Sequence, residues 1–522
     1  MAAAFRPVVS RLRLFAAGLA VDLPLVALAV ATRIRLALPP GDDAYIVLAV
    51  VRNALAGLGP HLDPGSGDAV LSTLLWPLLL AALSVAGLAP VAALGLLSLL
   101  SEIALALVVW RLGEVLSGSR AAGALAAAAL ITNPVLLLPA LSGMETPLVL
   151  ALVAAGALAV AGDRPAAAAV AIALLPWARF DAALAALVLA AFAVRTPRGH
   201  LASSRWRLAA GAVAGGSAFV AHRVVFGSWL PVSVTAKAAA GGAGADGAAA
   251  VAREFARAMA GESAYWLVEP TAHLLLVPLA IWGAIRLARS PELGPRAAPL
   301  VTWGALYVAA FVASGRSYAV NFPWYFAPPL LVAACLAAAG AAPALEALGR
   351  SLRKLSPTLP AAVALGAGLL AAPRVEDGIV RVRASFVAHR ERAYAAAALW
   401  LDRYGRPASV ASNEVGTLAW HLGPETSIVD LFGLSRRPEE RGVDGVALAL
   451  ARRPEAIVTR IDFRWRRAIE TADPDGWVWV RAGSIDLGLE PALARRLEPH
   501  AGELTRIYRG LGSAGGEAGG LR

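Results

Sequence analysis

Charge is scarce in this chain, and so are cysteine and lysine. Of 522 residues, 58% are hydrophobic and 16% charged, whereas soluble domains are about 45–50% apolar and about 25% charged. A soluble globular class is excluded. The single cysteine, Cys335, lies inside an apolar run, so no intramolecular disulfide can form. No cysteine and histidine spacing suits zinc. Lysine occurs only at Lys237 and Lys354, with arginine used everywhere else. The formal net charge is +11, but no basic stripe interleaved with aromatics accompanies it, and nucleic acid is not an expected partner. The excess sits in short loops between apolar runs, as it does in the cytoplasmic loops of membrane proteins.

What the chain has instead is apolar runs, recurring from the start to about residue 373. At about 20 residues per crossing they predict a polytopic α-helical membrane protein with about eleven transmembrane helices. No convincing cleavage site follows the first run, so it is expected to be a retained span over about 14–38. Arg6, Arg11 and Arg13 before it predict a cytoplasmic N-terminus. Segment 39–88 is then an external loop, with a short amphipathic helix around Ala44–Leu55 and a surface helix from Leu71. A second external loop covers 222–269. From 374 to 522 charge is dense and short β-like runs (Ala408–Ser412, Ser427–Leu431, Ala456–Thr459) alternate with helical stretches. This predicts a soluble α/β domain on the external side. The location expected is the bacterial inner membrane.

Most of the notable polar residues fall at span ends on that external side. Asp42 and Asp43, in Gly41-Asp42-Asp43-Ala44-Tyr45, are neighbouring carboxylates. In a partly desolvated pocket the two cannot both ionise freely, which suits a general base acting on an acceptor hydroxyl. The same oxygens suit a divalent metal ion; no other cofactor is implied. The plainer alternative is a solvated turn, for which Gly-Asp-Asp is good chemistry. Glu145 lies in Ser142-Gly143-Met144-Glu145-Thr146-Pro147, where an acid beside a helix start also favours the helix dipole. Arg179 and Asp181 interrupt a run apolar on both sides, so they face a cavity or pair with each other. Lys237 can hold a phosphate as a point charge, and Arg52 and Arg316 are further anion candidates, unless they meet lipid headgroups. Trp324 and Tyr325, in Asn321-Phe322-Pro323-Trp324-Tyr325-Phe326, either line a lipid or sugar groove or anchor the chain at the interface. Asn413, Glu414, His421 and Asp430 are polar points in the tail.

Taken in order, these segments resemble the GT-C-type glycosyltransferases that use a polyprenyl-phosphate-linked sugar, and within them the cell-wall arabinofuranosyltransferase-like branch. The resemblance rests on Asp42-Asp43-Ala44-Tyr45, Arg52-Asn53, Gly57, Gly59 and Pro64-Gly65, followed by a helix bearing Trp76. It continues through Ser142-Gly143-Met144-Glu145-Thr146, Arg179-Phe180-Asp181, Phe226-Gly227 with Leu230-Pro231 and Thr235-Ala236-Lys237, and Trp324-Tyr325-Phe326-Ala327-Pro328. In the tail it includes Val429-Asp430-Leu431 and Gly433-Leu434. The chain departs from the pattern at Asp68–Ser72, at Phe180 and at Ser233.

The resemblance implies a GT-C fold and transfer of a sugar, arabinofuranose being the one it implies, from a polyprenyl phosphate to a glycan or lipid acceptor. It implies Asp42 or Asp43 as the catalytic group, Lys237 and Arg316 on the donor phosphate, and Glu145, Arg179 and Asp181 around the sugar. Two other functions compete. A lipid-linked-sugar flippase would place its polar groups near mid-membrane on broken helices. A non-catalytic envelope-assembly subunit would keep the fold without turnover.

Overall fold

In the computed structural model the chain is described over residues 21–36, 38–64, 66, 70–195, 199–232, 245–262, 271–314, 323–351, 359–382, 390–435, 440, 442–461 and 465–513. Apolar helices dominate as far as residue 382, and a small sheet domain follows. Among the described residues, four helices are long and apolar enough to cross a membrane: Pro90–Ser117, Arg205–Phe226, Leu293–Ser314 and Ala327–Ser351. A fifth crossing is available if Arg120–Ile131 and Pro134–Leu141, bent by 59° at Thr132-Asn133, form one span. The bend has a local cause. Pro134 opens the second helix, and the Asn133 side chain caps it by accepting from the Val135 N–H at 3.0 Å.

Other spans expected from sequence are shorter here, such as Thr146–Ala161 and Pro165–Ala178, because glycine and proline break the apolar runs. Leu75–Val85 has 11 residues, about 16 Å of helix. That is half of the ~30 Å hydrocarbon core. Helix Leu276–Arg289 meets Ala327–Ser351 through small residues. A Cβ on Gly283 would lie 1.8 Å from the Leu336 carbonyl oxygen, and one on Gly340 would lie 2.1 Å from that of Leu279.

The C-terminal domain holds a five-stranded sheet in the order β2-β1-β3-β5-β4. Its strands are β1 Ser409–Ser412, β2 Ser427–Asp430, β3 Ala456–Arg460, β4 Val478–Ala482 and β5 Ile485–Leu489. The first three are parallel and match the runs read from sequence. Strands β4 and β5 form an antiparallel hairpin on β3. One hydrophobic cluster runs from Leu48 and Trp76, on helices Asp42–Leu55 and Leu75–Val85, to Tyr394, Val410 and Leu487 in this domain. The sheet domain is therefore packed onto helices Asp42–Leu55 and Leu75–Val85 rather than hung from a linker.

Candidate active site

Helix Asp42–Leu55 begins at the Asp pair, with both carboxylates in its first turn, where the helix dipole favours negative charge. The position of that turn is fixed by the Ser142–Thr146 segment. The Gly41 N–H donates to the Ser142 carbonyl at 3.0 Å. Gly143 adopts φ +89°, and a Cβ there would sit 2.7 Å from Leu94 Cδ2 and 3.3 Å from Ala44 Cβ. Only glycine combines that backbone angle with that proximity. The two motifs singled out in sequence are thus one packed unit, with Glu145 directly after the contact as N-cap of helix Thr146–Ala161.

Beside the Asp turn lies an ionic cluster in which Glu145 is buried, Arg179 half-buried and Asp181 exposed. The Arg179 guanidinium donates to both Asp181 oxygens, at 3.0 and 2.7 Å, and lies 3.7 Å from a Glu145 oxygen. Its side chain is 11% exposed, and its Cζ stands 5.9 Å from the centre of the Tyr325 ring. Tyr325 packs beside Trp324, ring centres 6.1 Å apart. Asp43 is half-buried and within electrostatic range of Glu145. Glu145, Arg179, Asp181 and Tyr325 therefore come together, with Asp43 within electrostatic range of Glu145. Arg179 and Asp181 do pair with each other, as the plainer alternative required, and the pair also engages Glu145.

Asp42 does something different. Its Oδ1 accepts the Thr417 N–H at 2.8 Å, capping helix Val415–His421, whose own N-cap residue Glu414 makes no side-chain cap. The contact is close: a Cβ on Gly416 would lie 2.0 Å from the Asp42 carbonyl oxygen and 2.8 Å from the Ile46 nitrogen. Around it the Thr417 hydroxyl donates to Glu391 at 2.8 Å, and Arg390 bonds Glu391 and reaches Glu414 at 3.5 Å. Tyr394 donates to the Asn413 side chain at 3.1 Å. Burial, with Glu414 and Glu391 nearby, holds the Asp42 carboxyl well above the usual range, against the opposing Thr417 N–H. Burial also raises Glu414, which Arg390 opposes. These tail residues sit at the carboxyl ends of β1 and β3. There the chain leaves β1 for β2 on one side and returns to β3 on the other, the usual place for a ligand crevice in a parallel sheet.

Similarity to proteins of known structure accounts for the architecture. The chain superposes on the crystal structure of ArnT from Cupriavidus metallidurans bound to undecaprenyl phosphate with a TM-score of 0.58, over 91% of this chain and 98% of that one, at 13% identity. On the apo state of ArnT the TM-score is 0.52, over 90% and 97% of the two chains, at 15% identity. The fold is the GT-C fold. The mycobacterial arabinofuranosyltransferase AftD matches at TM-score 0.46 and 14% identity, over 90% of this chain and 41% of that one. No family model matches the chain, and no curated protein matches its sequence.

Within this GT-C fold the remaining residues singled out in sequence separate clearly. Arg52, expected as a phosphate ligand, donates instead to the Ala419, Trp420 and Leu422 carbonyls at 3.1, 2.9 and 3.1 Å, closing the C-terminus of helix Val415–His421. Those acceptors lie more than 360 residues along the chain, so the sequence carries no sign of them. Lys237 and Arg316 lie outside the described residues. The Asp430 carboxylate accepts from the Phe432, Gly433 and Ser435 backbone, which makes it a turn residue. Among the described residues no three His, Cys, Asp or Glu side chains are grouped to hold a metal ion. Arg390, Glu391 and Thr417 at the joint, and Tyr307 beside Arg179, were not singled out in sequence. The adjacent charges Arg390-Glu391 were the one local signal available.

Proposed function

We propose that this chain is a glycosyltransferase that moves a sugar from a polyprenyl phosphate to a glycan or lipid acceptor at the external membrane face. The observation that carries the reading is the placement of Asp43. Its carboxylate is half-buried in the first turn of helix Asp42–Leu55 and within electrostatic range of both Glu145 and Glu414. A lipid-linked donor keeps its tail in the bilayer and its sugar phosphate at the span ends, where the cluster of Glu145, Arg179 and Asp181 lies. ArnT, with undecaprenyl phosphate bound, supports that class of donor.

In this reading the acceptor hydroxyl attacks the anomeric carbon, its proton passes to Asp43, and the bond from that carbon to the phosphate oxygen breaks. The electron pair leaves with the polyprenyl phosphate. Lys237 and Arg316 hold that phosphate; Glu145, Arg179 and Asp181 shape the sugar pocket; Trp324 and Tyr325 flank it. Residues 374–522 face the periplasm and orient the acceptor, and residues 1–373 hold the donor. Arabinofuranose is the first sugar to try.

The test is transfer by the purified protein in nanodiscs, offered a panel of polyprenyl-phosphate sugars, with and without chelator. Turnover with one donor, lost in Asp43→Asn while that donor still binds, supports the reading. Binding without turnover for every donor and acceptor sinks it. One observation favours a transporter: Arg33 and Glu102 form a 3.9 Å pair, with Glu102 buried within helix Pro90–Ser117. A Glu102→Gln variant that abolishes lipid flipping in vesicles would support that alternative.

A further inference from the structure

Two buried hydroxyls beside the ionic cluster have no hydrogen-bond partner among the described residues. Tyr307, 4% exposed on helix Leu293–Ser314, leaves its hydroxyl unpaired. Thr146, 2% exposed and next to Glu145 in the chain, leaves Oγ1 unpaired. Their helices pack against each other, and the Tyr307 hydroxyl is within electrostatic range of Arg179 and Asp181. Tyr307 lies seven residues before Ser314, about 10 Å along the helix axis. Buried hydroxyls are nearly always satisfied, by protein, water or ligand. Two orphans flanking one ionic cluster point to a ligand that brings its own hydrogen bonds.

The charge around them defines its chemistry. One arginine faces two carboxylates, Glu145 and Asp181, so the cluster is formally acidic and a poor seat for a phosphate or a carboxylate. A neutral sugar ring suits it, because each sugar hydroxyl both donates and accepts and so matches another hydroxyl. We propose that Tyr307 and Thr146 bind hydroxyls of the donor's sugar ring, and that this subsite takes a neutral sugar in preference to a uronate. The proposal rests on the donor class given above, and adds the residues and the charge preference that select the sugar.

Its test is equilibrium binding to the full chain in nanodiscs. The probes are bare polyprenyl phosphate, polyprenyl-phosphate arabinofuranose, glucose and mannose, and a polyprenyl-phosphate uronate. Wild type should favour at least one neutral glycosylated lipid over both the bare lipid and the uronate. Tyr307→Phe and Thr146→Val should each weaken that lipid by about tenfold and leave the bare lipid unchanged. Tyr307→Phe should keep or raise the thermal midpoint, since it removes an unsatisfied buried group. Equal binding of sugar lipid and bare lipid by wild type overturns the proposal. So do wild-type binding by both variants, equal loss for both lipids, or a preference for the uronate. Intact sugar-dependent binding without turnover would instead sink the transferase reading and leave this one standing.

Discussion

Two carboxylate clusters, each built around one arginine, lie within electrostatic range of Asp43, and they differ in how completely they are satisfied. The upper one joins Asp42, Glu391, Glu414 and Arg390 to Thr417, with Asp42 bonded to a backbone N–H and the Thr417 hydroxyl to Glu391. The lower one joins Glu145, Arg179 and Asp181, and leaves the Tyr307 and Thr146 hydroxyls open. A polar network closed on itself fixes one geometry. One with unmet hydrogen bonds is arranged for something that arrives. The upper cluster is a joint between helix Asp42–Leu55 and the sheet domain, and the lower is the one we propose as the sugar site.

The largest effect should separate the two neighbours in sequence. Asp43→Asn should lower transfer by about 10²–10⁴-fold, the range for loss of a positioned base. Asp42→Asn should cost less than about tenfold, because its amide oxygen still accepts the Thr417 N–H. Steady-state kinetics on both variants, with circular dichroism to confirm folding, would decide. A larger loss at Asp42 would make the joint the chemical centre and reverse the comparison.

Next comes the joint itself. Gly416→Ala puts a methyl 2.0 Å from a backbone oxygen, and backbone cannot step aside as a flexible side chain can. The sheet domain should lift from the Asp turn. Displacement of about 1 Å costs about 10²-fold in a well-positioned reaction, so transfer should fall by that order. Binding of bare polyprenyl phosphate should persist, and limited proteolysis should release the tail. An unchanged rate would show that the joint does not position Asp43.

The sequence made much of the lower cluster legible and little of the upper. Glu145, Arg179 and Asp181 stand out because ionisable residues at the ends of apolar runs are rare. Gly41–Tyr45 stands out as two acids after a span, and the first three strands as short apolar runs. The division of labour between Asp42 and Asp43 was not legible, since it depends on Thr417, 375 residues away. Tyr307 was hidden because an aromatic within an apolar helix is ordinarily core. The hairpin of β4 and β5 was missed because Val478 and Val480, on the edge strand, are exposed and give no buried run.

A smaller effect follows pH. Asp42 and Glu414 have folded pKa values above their ordinary 3.8 and 4.5, so the folded joint holds protons more tightly than the unfolded chain does. The stability this contributes is fully present below those ordinary values and is lost as pH rises through the raised ones. Asp43, Glu391, Arg390, Arg460 and the Thr417 N–H face these two groups and shape the titration. Proteolytic release of the tail should therefore be slowest at acid pH and quicken as pH rises above the ordinary carboxylate range. Asp42→Asn, neutral throughout, should flatten much of that slope. A joint that tightens as pH rises would contradict the raised pKa values of Asp42 and Glu414.

The smallest effect tests whether Arg52 belongs to the joint or to the lipid phosphate. Its guanidinium meets three carbonyls at the end of helix Val415–His421 and lies 5.7 Å over the Trp420 ring, a capping arrangement that also favours the helix dipole. Arg52→Ala should therefore cost about 1–2 kcal/mol in docking of the sheet domain, seen as faster proteolytic release, while affinity for bare polyprenyl phosphate stays at the wild-type value. A phosphate ligand would behave the other way round, with lipid affinity falling and the joint intact. Because the two outcomes move different observables, a single variant measured both ways decides which role this arginine serves.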